Sequence, residues 1–407
     1  MKQKILMLGT FDTKGREFSL LYDEVLKHGI EVMTMNTGVM GTTQIFPVDI
    51  EADKVAAAAG SSIAALREKA DRGYAMRIMC TGAQKVVDQL YAQGKICAVI
   101  GMGGGGGTSI ATTAMRNLPV GFPKVCITTL ASGDTSEYVG TKDIVLFPSV
   151  VDICGVNQFS RKIITRAAGA VCGMAASRIT ENNADRQIIF ISMFGNSTQC
   201  VEQCARLLDE QGYDTMIFHA TGTGGRAMEE LTEEGYPVAV LDITTTEWAD
   251  EVGGGVLSAG TARLDAPGKM GIPHLIVPGC VDMVNFRGMA SVPSVLKESG
   301  RQLYEWNPMV TLMRTNLEEN IKMGKIFAEK ANAAKGPVKF LFPLRGVSIL
   351  DGEGQPFCDW EVDKALYQTV KDNLKKGIEA VEIDANINDL EFSQKSVEIL
   401  LQMLNQK

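Results

Sequence analysis

Ile96-Cys97-Ala98-Val99-Ile100-Gly101-Met102-Gly103-Gly104-Gly105-Gly106-Gly107-Thr108-Ser109 is the stretch from which the fold is read. The first five residues form an apolar run with the character of a strand buried on both faces, and residues 110–118 follow with a helical pattern. Between them, glycines let backbone N–H groups approach an anion closely. The helix start adds unsatisfied N–H groups and the positive end of its dipole. Strand, glycine loop and helix in this order predict a phosphate-binding loop, and so a nucleotide-binding protein of α/β class. Gly103, Gly104, Gly105, Gly106 and Gly107 would hold the phosphates, with the hydroxyls of Thr108 and Ser109 as donors or magnesium ligands. Two known motifs fit with informative gaps. A Walker-type loop over 101–106 would need a lysine where Gly107 stands. A dinucleotide fingerprint on Gly101, Gly103 and Gly106 would need an acid near Thr128 and Thr129, and none is there.

Outward from this loop, short apolar runs alternate with helical patterns, which predicts parallel sheets built from βαβ units. Strands are expected at 4–8, 30–35, 76–80, 96–100, 124–128 and 144–147, with a long alanine-rich helix at 49–71 and another at 157–179. The second half repeats the alternation, with strands near 187–192, 215–218, 238–242, 274–277, 338–342 and 380–383. A length of 407 residues exceeds what one core usually serves. The expectation is two Rossmann-like subdomains with mainly parallel sheets flanked by helices: a nucleotide-binding domain at 1–183 and a second α/β domain at 184–407, divided in the polar stretch before residue 187.

Loops at strand ends carry the candidate chemistry, because in open α/β sheets they converge on one crevice. In the first half these are Thr10, Asp12, Thr13 and Lys14 after the first strand, Asn36 after the second, and Ser132, Gly133 and Asp134 after the 124–128 strand. Asp12 and Asp134 are the expected magnesium ligands, and Lys14 the cation facing phosphate. In the second half, Thr221, Gly222, Gly224, Gly225 and Arg226 form a second anion loop, with Asn285 and Arg314 as further substrate contacts. His219, Glu247 and Asp282 are the candidate catalytic groups; His219 lies between a buried strand and a glycine loop, where an imidazole can act as acid or base. His28, near a helix end, is read as solvated or facing the helix dipole, and His274 as structural rather than catalytic.

Composition excludes several classes. A net charge of -8 disfavours nucleic acid and anionic membranes, which need a concentrated basic face. The start Met1-Lys2-Gln3-Lys4 leads into a strand pattern without a signal-type apolar run, and no apolar span of about 20 residues occurs, so a cytoplasmic protein is expected. The nine cysteines are expected to be reduced; Cys97, Cys126 and Cys172 sit in apolar patterns. Cys200 and Cys204 lie one helical turn apart but lack a companion pair for zinc. Hydrolase elbows and zinc-protease helices are absent from the sequence.

These motifs, taken together, resemble the uncharacterised bacterial, fungal and plant family named for the N-terminal inhibitory region of the tomato mosaic virus resistance protein. The resemblance runs nearly end to end and rests on 103–108, 118–124, 131–134, 138–141, 149–152, 218–229, 282–286 and 314–315. It implies ATP binding in the N-terminal domain with Mg2+, two α/β subdomains and a homodimer or higher homo-oligomer. The antiviral role of the plant protein is not part of that implication. Trp306 stands where the family pattern has histidine, and Cys154 where it has a smaller residue. The functional expectation is an ATP-dependent enzyme acting on a small polar metabolite. Alternatives are a non-catalytic nucleotide sensor or scaffold whose ATP site stabilises a dimer, and an ATP-independent lyase or isomerase.

Overall fold

Of the ten residue pairs that join the first strand to its neighbours, all but Lys4–Ile96 and Gly9–Asn36 involve apolar or small side chains on both partners, and a parallel five-stranded sheet results. A computed structural model describes residues 3–177 and 186–405. The chain divides into two compact units, Met1–Thr180 and Glu181–Lys407. The expected boundary at Asn183 and Ala184 falls outside the described residues.

In the first unit the elements are β1 (Lys4–Gly9), α1 (Phe11–Lys27), β2 (Val32–Asn36), α2 (Ala52–Ala58), α3 (Ile63–Lys69), α4 (Arg72–Ala92), β3 (Ile96–Gly103), α5 (Gly105–Arg116), β4 (Lys124–Thr128), α6 (Ser136–Val139), β5 (Val145–Pro148) and α7 (Gln158–Ala176). The strand order is β2-β1-β3-β4-β5, all parallel. Helices α1 and α7 cover one face around Phe18, Leu21, Ile164 and Val171, and α2, α4 and α5 cover the other around Val55, Ala83, Val87 and Ile110. Burial on both faces is why β3 reads as an unbroken apolar run.

Two stretches differ from the expected local structure. The run 76–80 is not a strand but part of α4, where Met79, Ala83, Val87 and Leu90 form a buried helical stripe. The stretch 49–71 is not one helix. Gly60 takes φ +77°, Ser62 caps α3 by accepting from the Ala65 amide at 3.2 Å, and Ala70 ends it in the left-handed region at φ +51°. Asp71 then caps α4 by accepting from the Tyr74 amide at 2.9 Å.

The second unit contains β6 (Ile188–Met193), α8 (Thr198–Glu210), β7 (Asp214–His219), α9 (Thr223–Glu233), β8 (Pro237–Thr244), α10 (Glu247–Gly253), α11 (Ala266–Met270), β9 (His274–Gly279), β10 (Met283–Arg287), α12 (Ser294–Glu298), β11 (Leu303–Asn307), β12 (Val310–Arg314), α13 (Leu317–Ala333), β13 (Val338–Pro343), α14 (Trp360–Asn373), β14 (Glu379–Ile383) and α15 (Leu390–Asn405). Six parallel strands run in the order β14-β13-β9-β8-β6-β7. Between β9 and β13 the chain makes an antiparallel sheet, β10-β12-β11, which the strand reading of the sequence omits. Asn285 therefore lies on a strand rather than in a loop. Both units are α/β with mainly parallel sheets flanked by helices, as expected.

Candidate functional site

Each parallel sheet reverses its strand order once between adjacent strands, and the crevice at that point is where such sheets hold ligands. In the first unit the reversal lies between β1 and β3. The segments leaving those strands are Thr10–Thr13 and the glycine loop. Gly104 is the N-cap of α5, and Gly105, Gly106 and Gly107 form its first turn, where amides have no preceding carbonyl to meet. The first intrahelical bond is the Thr108 amide to the Gly104 carbonyl, 2.8 Å. Among the described residues no side chain caps this end.

The glycines fall into two groups by what a methyl group would meet. A Cβ on Gly101 would lie 2.5 Å from Ala111 Cβ, and one on Gly103 would lie 2.7 Å from Gly107 Cα, so the fold itself requires these two. A Cβ on Gly105 would meet nothing within 4 Å, and on Gly104 or Gly106 only ordinary contacts of 3.6 Å or more. Their backbone is not left-handed either. Packing gives no reason for glycine at 104–106; an N-cap such as Gly104 favours glycine over alanine in its own right, but at Gly105 and Gly106, inside the helix, glycine is weaker than alanine.

Beside this loop is a cavity of about 670 Å3, within the range of small-molecule sites. Thr10, Asp12, Thr13 and Thr37 form its polar end, and Leu66, Met76, Met79 and Ile110 its apolar walls. One Asp12 carboxylate oxygen, Oδ2, accepts from the Met40 amide at 2.9 Å; Oδ1 is buried with no hydrogen-bond partner among the described residues. Thr37 is 2% exposed and its hydroxyl is likewise without a partner. Arg67 and Arg72 also line the cavity. Arg67 donates to the Val39 carbonyl, whereas Arg72, one of whose terminal nitrogens would lie 3.9 Å from a Cβ on Gly106, has no partner among the described residues.

Several expected residues take other places. Lys14 donates to the Ile153 carbonyl and does not line the cavity. Asn36 is buried and shapes the loop: its Oδ1 accepts from the amides of Phe11 (3.2 Å) and Gly38 (2.9 Å), and its Nδ2 donates to the Gly41 carbonyl (2.9 Å). The Thr108 hydroxyl is buried at 2.6 Å from that of Thr128. Ser132, Gly133 and Asp134 are exposed and outside the cavity lining; Asp134 accepts from the Ser136 amide and hydroxyl at 3.0 and 2.7 Å.

The second glycine loop is built differently. Glu247 presents its carboxylate to the start of α9, accepting from the amides of Gly222 at 2.7 Å and Gly225 at 3.1 Å. A Cβ on Gly225 would lie 2.2 Å from that carboxylate, and one on Gly224 1.9 Å from the His219 carbonyl. The protein's own acid thus holds the position expected for a substrate anion. Arg226 is exposed and donates to the Ser258 carbonyl at 3.3 Å.

Behind Glu247 lies Arg263, 1% exposed, which makes a two-pronged pair with Asp242 (2.6 and 2.5 Å) and donates to Glu247 (2.7 Å) and Glu229 (3.2 Å). His274 Nε2 lies 3.2 Å from Asp242. Burial pushes the Asp242 carboxyl upward, but the charge and hydrogen bonds of Arg263 and His274 outweigh it and hold it below the usual range. Burial dominates at Glu229 and Glu247, which are raised.

Asp282 and Arg314 belong to a second buried cluster. Arg314 donates to Asp363 at 2.8 Å, to Asp351 at 3.1 Å and to the Phe357 carbonyl at 2.7 Å, while Asp282 accepts from Ser348 at 2.8 Å. Three acids share one arginine, and burial raises Asp282 to about 6 and Asp351 to about 10. Cys200 and Cys204 are buried on α8, and among the described residues no group of three or more His, Cys, Asp or Glu is arranged to hold a metal.

What does open to a cavity in the second unit is the end of β6 and β7: a space of about 420 Å3 lined by Asn196, His219, Thr221, Asn285, Arg287 and Trp306 among others. His219 is exposed and lies against Phe194, ring centres 5.6 Å apart. His219, Thr221 and Asn285 are brought together here; Glu247, Asp282 and Arg314 are not. Among the described residues no helix is long and apolar enough to cross a membrane.

Family models cover both units. One described as Uncharacterised protein family (UPF0261) N-terminal domain matches residues 3–180, and one described as its C-terminal domain matches 186–404. The chain belongs to the UPF0261 family. A UPF0261 protein of Clostridium tetani is 47% identical over 405 residues, 99% of this chain and 100% of that protein. The UPF0261 resemblance extends to the ToMV susceptible protein tm-1(GCR26) of Solanum lycopersicum, 36% identical over 98% of this chain but 56% of the tomato protein. A solved UDP-N-acetylglucosamine 2-epimerase is similar over 100% of this chain and 98% of that chain, at 10% identity and a TM-score of 0.26.

Proposed function

We propose that this UPF0261 chain binds ATP with Mg2+ in its first unit and is a cytoplasmic, dimeric ATP-dependent enzyme whose small polar metabolite sits on the second unit. The observation that carries the nucleotide reading is the start of α5. Its first-turn amides have no side-chain cap, glycines 104–106 have no packing reason to be glycine, and an unpartnered arginine, Arg72, stands beside them. At the corresponding helix start in the second unit, Glu247 already supplies the anion. The phosphates would lie on the amides of Gly105 and Gly106, with Arg72 supplying the positive charge that a Walker lysine supplies elsewhere. The base would lie among Leu66, Met76 and Met79.

Magnesium fits this site through the unpartnered Asp12 Oδ1 and Thr37 hydroxyl. One carboxylate with phosphate oxygens and waters is a usual magnesium environment, so a larger acidic cage is not needed. The ion would neutralise phosphate charge. Calorimetric titration of ATP with and without Mg2+ tests the reading. Saturable binding that Asp12→Asn makes magnesium-independent is expected. Binding unaffected by magnesium in the parent protein would overturn the Asp12 assignment. Nucleotide binding that strengthens a dimer without ATP turnover on any metabolite would favour a sensor.

A further inference from the structure

The second unit holds two buried carboxamide oxygens without hydrogen-bond partners in the wall of one cavity. Asn196 and Asn285 are each 2% exposed, both line the 420 Å3 space at the ends of β6 and β7, and Oδ1 of each has no partner among the described residues. Leaving a buried polar atom unpaired is costly, and native proteins rarely keep two in one place without a reason. The orientation of Asn285 is set from behind: its amide N–H and its Nδ2 donate to Asp250 at 3.0 and 2.7 Å, which leaves Oδ1 as the free acceptor. Asn196 sits in the segment following β6, beside the strand-order reversal between β6 and β8.

The remaining wall narrows the ligand. Among the described residues the Arg287 side chain has no partner, and no aspartate or glutamate lines the space. A cationic ligand would find no counter-charge there, which disfavours an ammonium group as the donor facing the two carbonyl oxygens. Hydroxyl groups meet them without that cost. Trp306, Phe286 and Leu312 offer an apolar surface on which the C–H face of a sugar-like skeleton can rest.

We propose that this cavity binds a polyhydroxylated small molecule bearing one anionic group, with Asn196 and Asn285 accepting from its hydroxyls, Arg287 pairing with its carboxylate or phosphate, and Trp306 beneath its skeleton. The proposal rests on reading the second unit as the metabolite-binding half and deepens it. His219 and Thr221, on the rim, are within the same lining.

Trp306 is 46% exposed and provides the signal. The tryptophan emission of the full chain, to which Trp248 and Trp360 also contribute, would be followed without nucleotide while gluconate, ribose 5-phosphate and the neutral polyol sorbitol are added separately. A saturable change with gluconate or ribose 5-phosphate is expected, and the stronger of the two identifies the anion as carboxylate or phosphate. Arg287→Gln, an exposed position, should weaken that probe about tenfold or more and leave sorbitol unaffected; Asn196→Leu should weaken all probes that bind. No saturable change with either anionic probe at millimolar concentration overturns the proposal, as does binding that Arg287→Gln leaves unchanged. ATP titrated into the same protein by calorimetry separates the two claims. ATP binding without probe binding removes this inference alone, and probe binding without ATP binding removes the nucleotide reading alone.

Discussion

Gly105→Ala should stabilise the protein and weaken its nucleotide affinity at once. In the structure a Cβ at this position meets nothing within 4 Å, and the backbone is in the first turn of α5. Alanine is better than glycine in a helix by up to about 1 kcal/mol, because less backbone entropy is lost. For a unit of this size that raises the thermal midpoint by at most ~2–4 °C. The same methyl group crowds the amide that a phosphate oxygen would approach to about 2.9 Å. Losing one hydrogen bond to a charged group costs about 1.5–3 kcal/mol, or a factor of about 10–150 in Kd. Thermal unfolding without nucleotide reads the first effect, and calorimetry with Mg-ATP reads the second. Opposite signs are the signature of a glycine kept for a ligand. Gly103→Ala is the contrast, since its Cβ would lie 2.7 Å from Gly107 Cα and should lower stability and affinity together. If Gly105→Ala binds ATP as tightly as the parent, the phosphate position is wrong.

Other consequences follow from the charge arrangement. Arg72→Gln should weaken ATP about tenfold with little change in the ligand-free melting temperature, because Arg72 is exposed and unpartnered; the loss should shrink at high salt. Arg263→Met should destabilise the second unit by about 3–5 kcal/mol in urea unfolding, since it leaves Asp242, Glu247 and Glu229 buried without their counter-charge; a stable variant would mean those acids are protonated together. Burial raises the Asp250 carboxyl from 3.8 to about 7, so between those values the native state keeps a proton that the unfolded chain releases. Its contribution is therefore fully present below the unfolded value and declines as pH rises towards the folded one, at up to about 1.4 kcal/mol per pH unit. Melting curves from pH 5 to 7 should fall more steeply for the parent than for Asp250→Asn, and equal slopes would remove Asp250 as the cause.

The parallel sheets were legible because β1, β3, β8 and β9 are covered on both faces, which leaves unbroken apolar runs in the sequence. The glycine loop was legible for a local reason: strand, glycines and helix are contiguous. The run 76–80 misled because five residues with four apolar side chains do not distinguish a strand from one face of a helix. That error hid Arg72, which reaches the cavity only because the chain reverses at Ala70 and Asp71. Arg263 escaped notice because nothing local marks a lone arginine as the centre of acids 16 to 34 residues away. The segment Phe194-Gly195-Asn196 follows a recognised strand, and the strand-end rule applied to it would have placed Asn196 in the site. Thr221–Arg226 looked like a second anion loop for sound reasons. Its anion is Glu247, a fact of tertiary packing that spacing does not reveal.

The most direct test of the nucleotide reading is a crystal structure of the protein grown with ATP and magnesium. Phosphate oxygens are expected on the amides of Gly105 and Gly106, the metal on Asp12, Arg72 turned to the phosphates and the base among Leu66, Met76 and Met79. Nucleotide density anywhere else, or a glycine loop left without phosphate at saturating ATP, would contradict it.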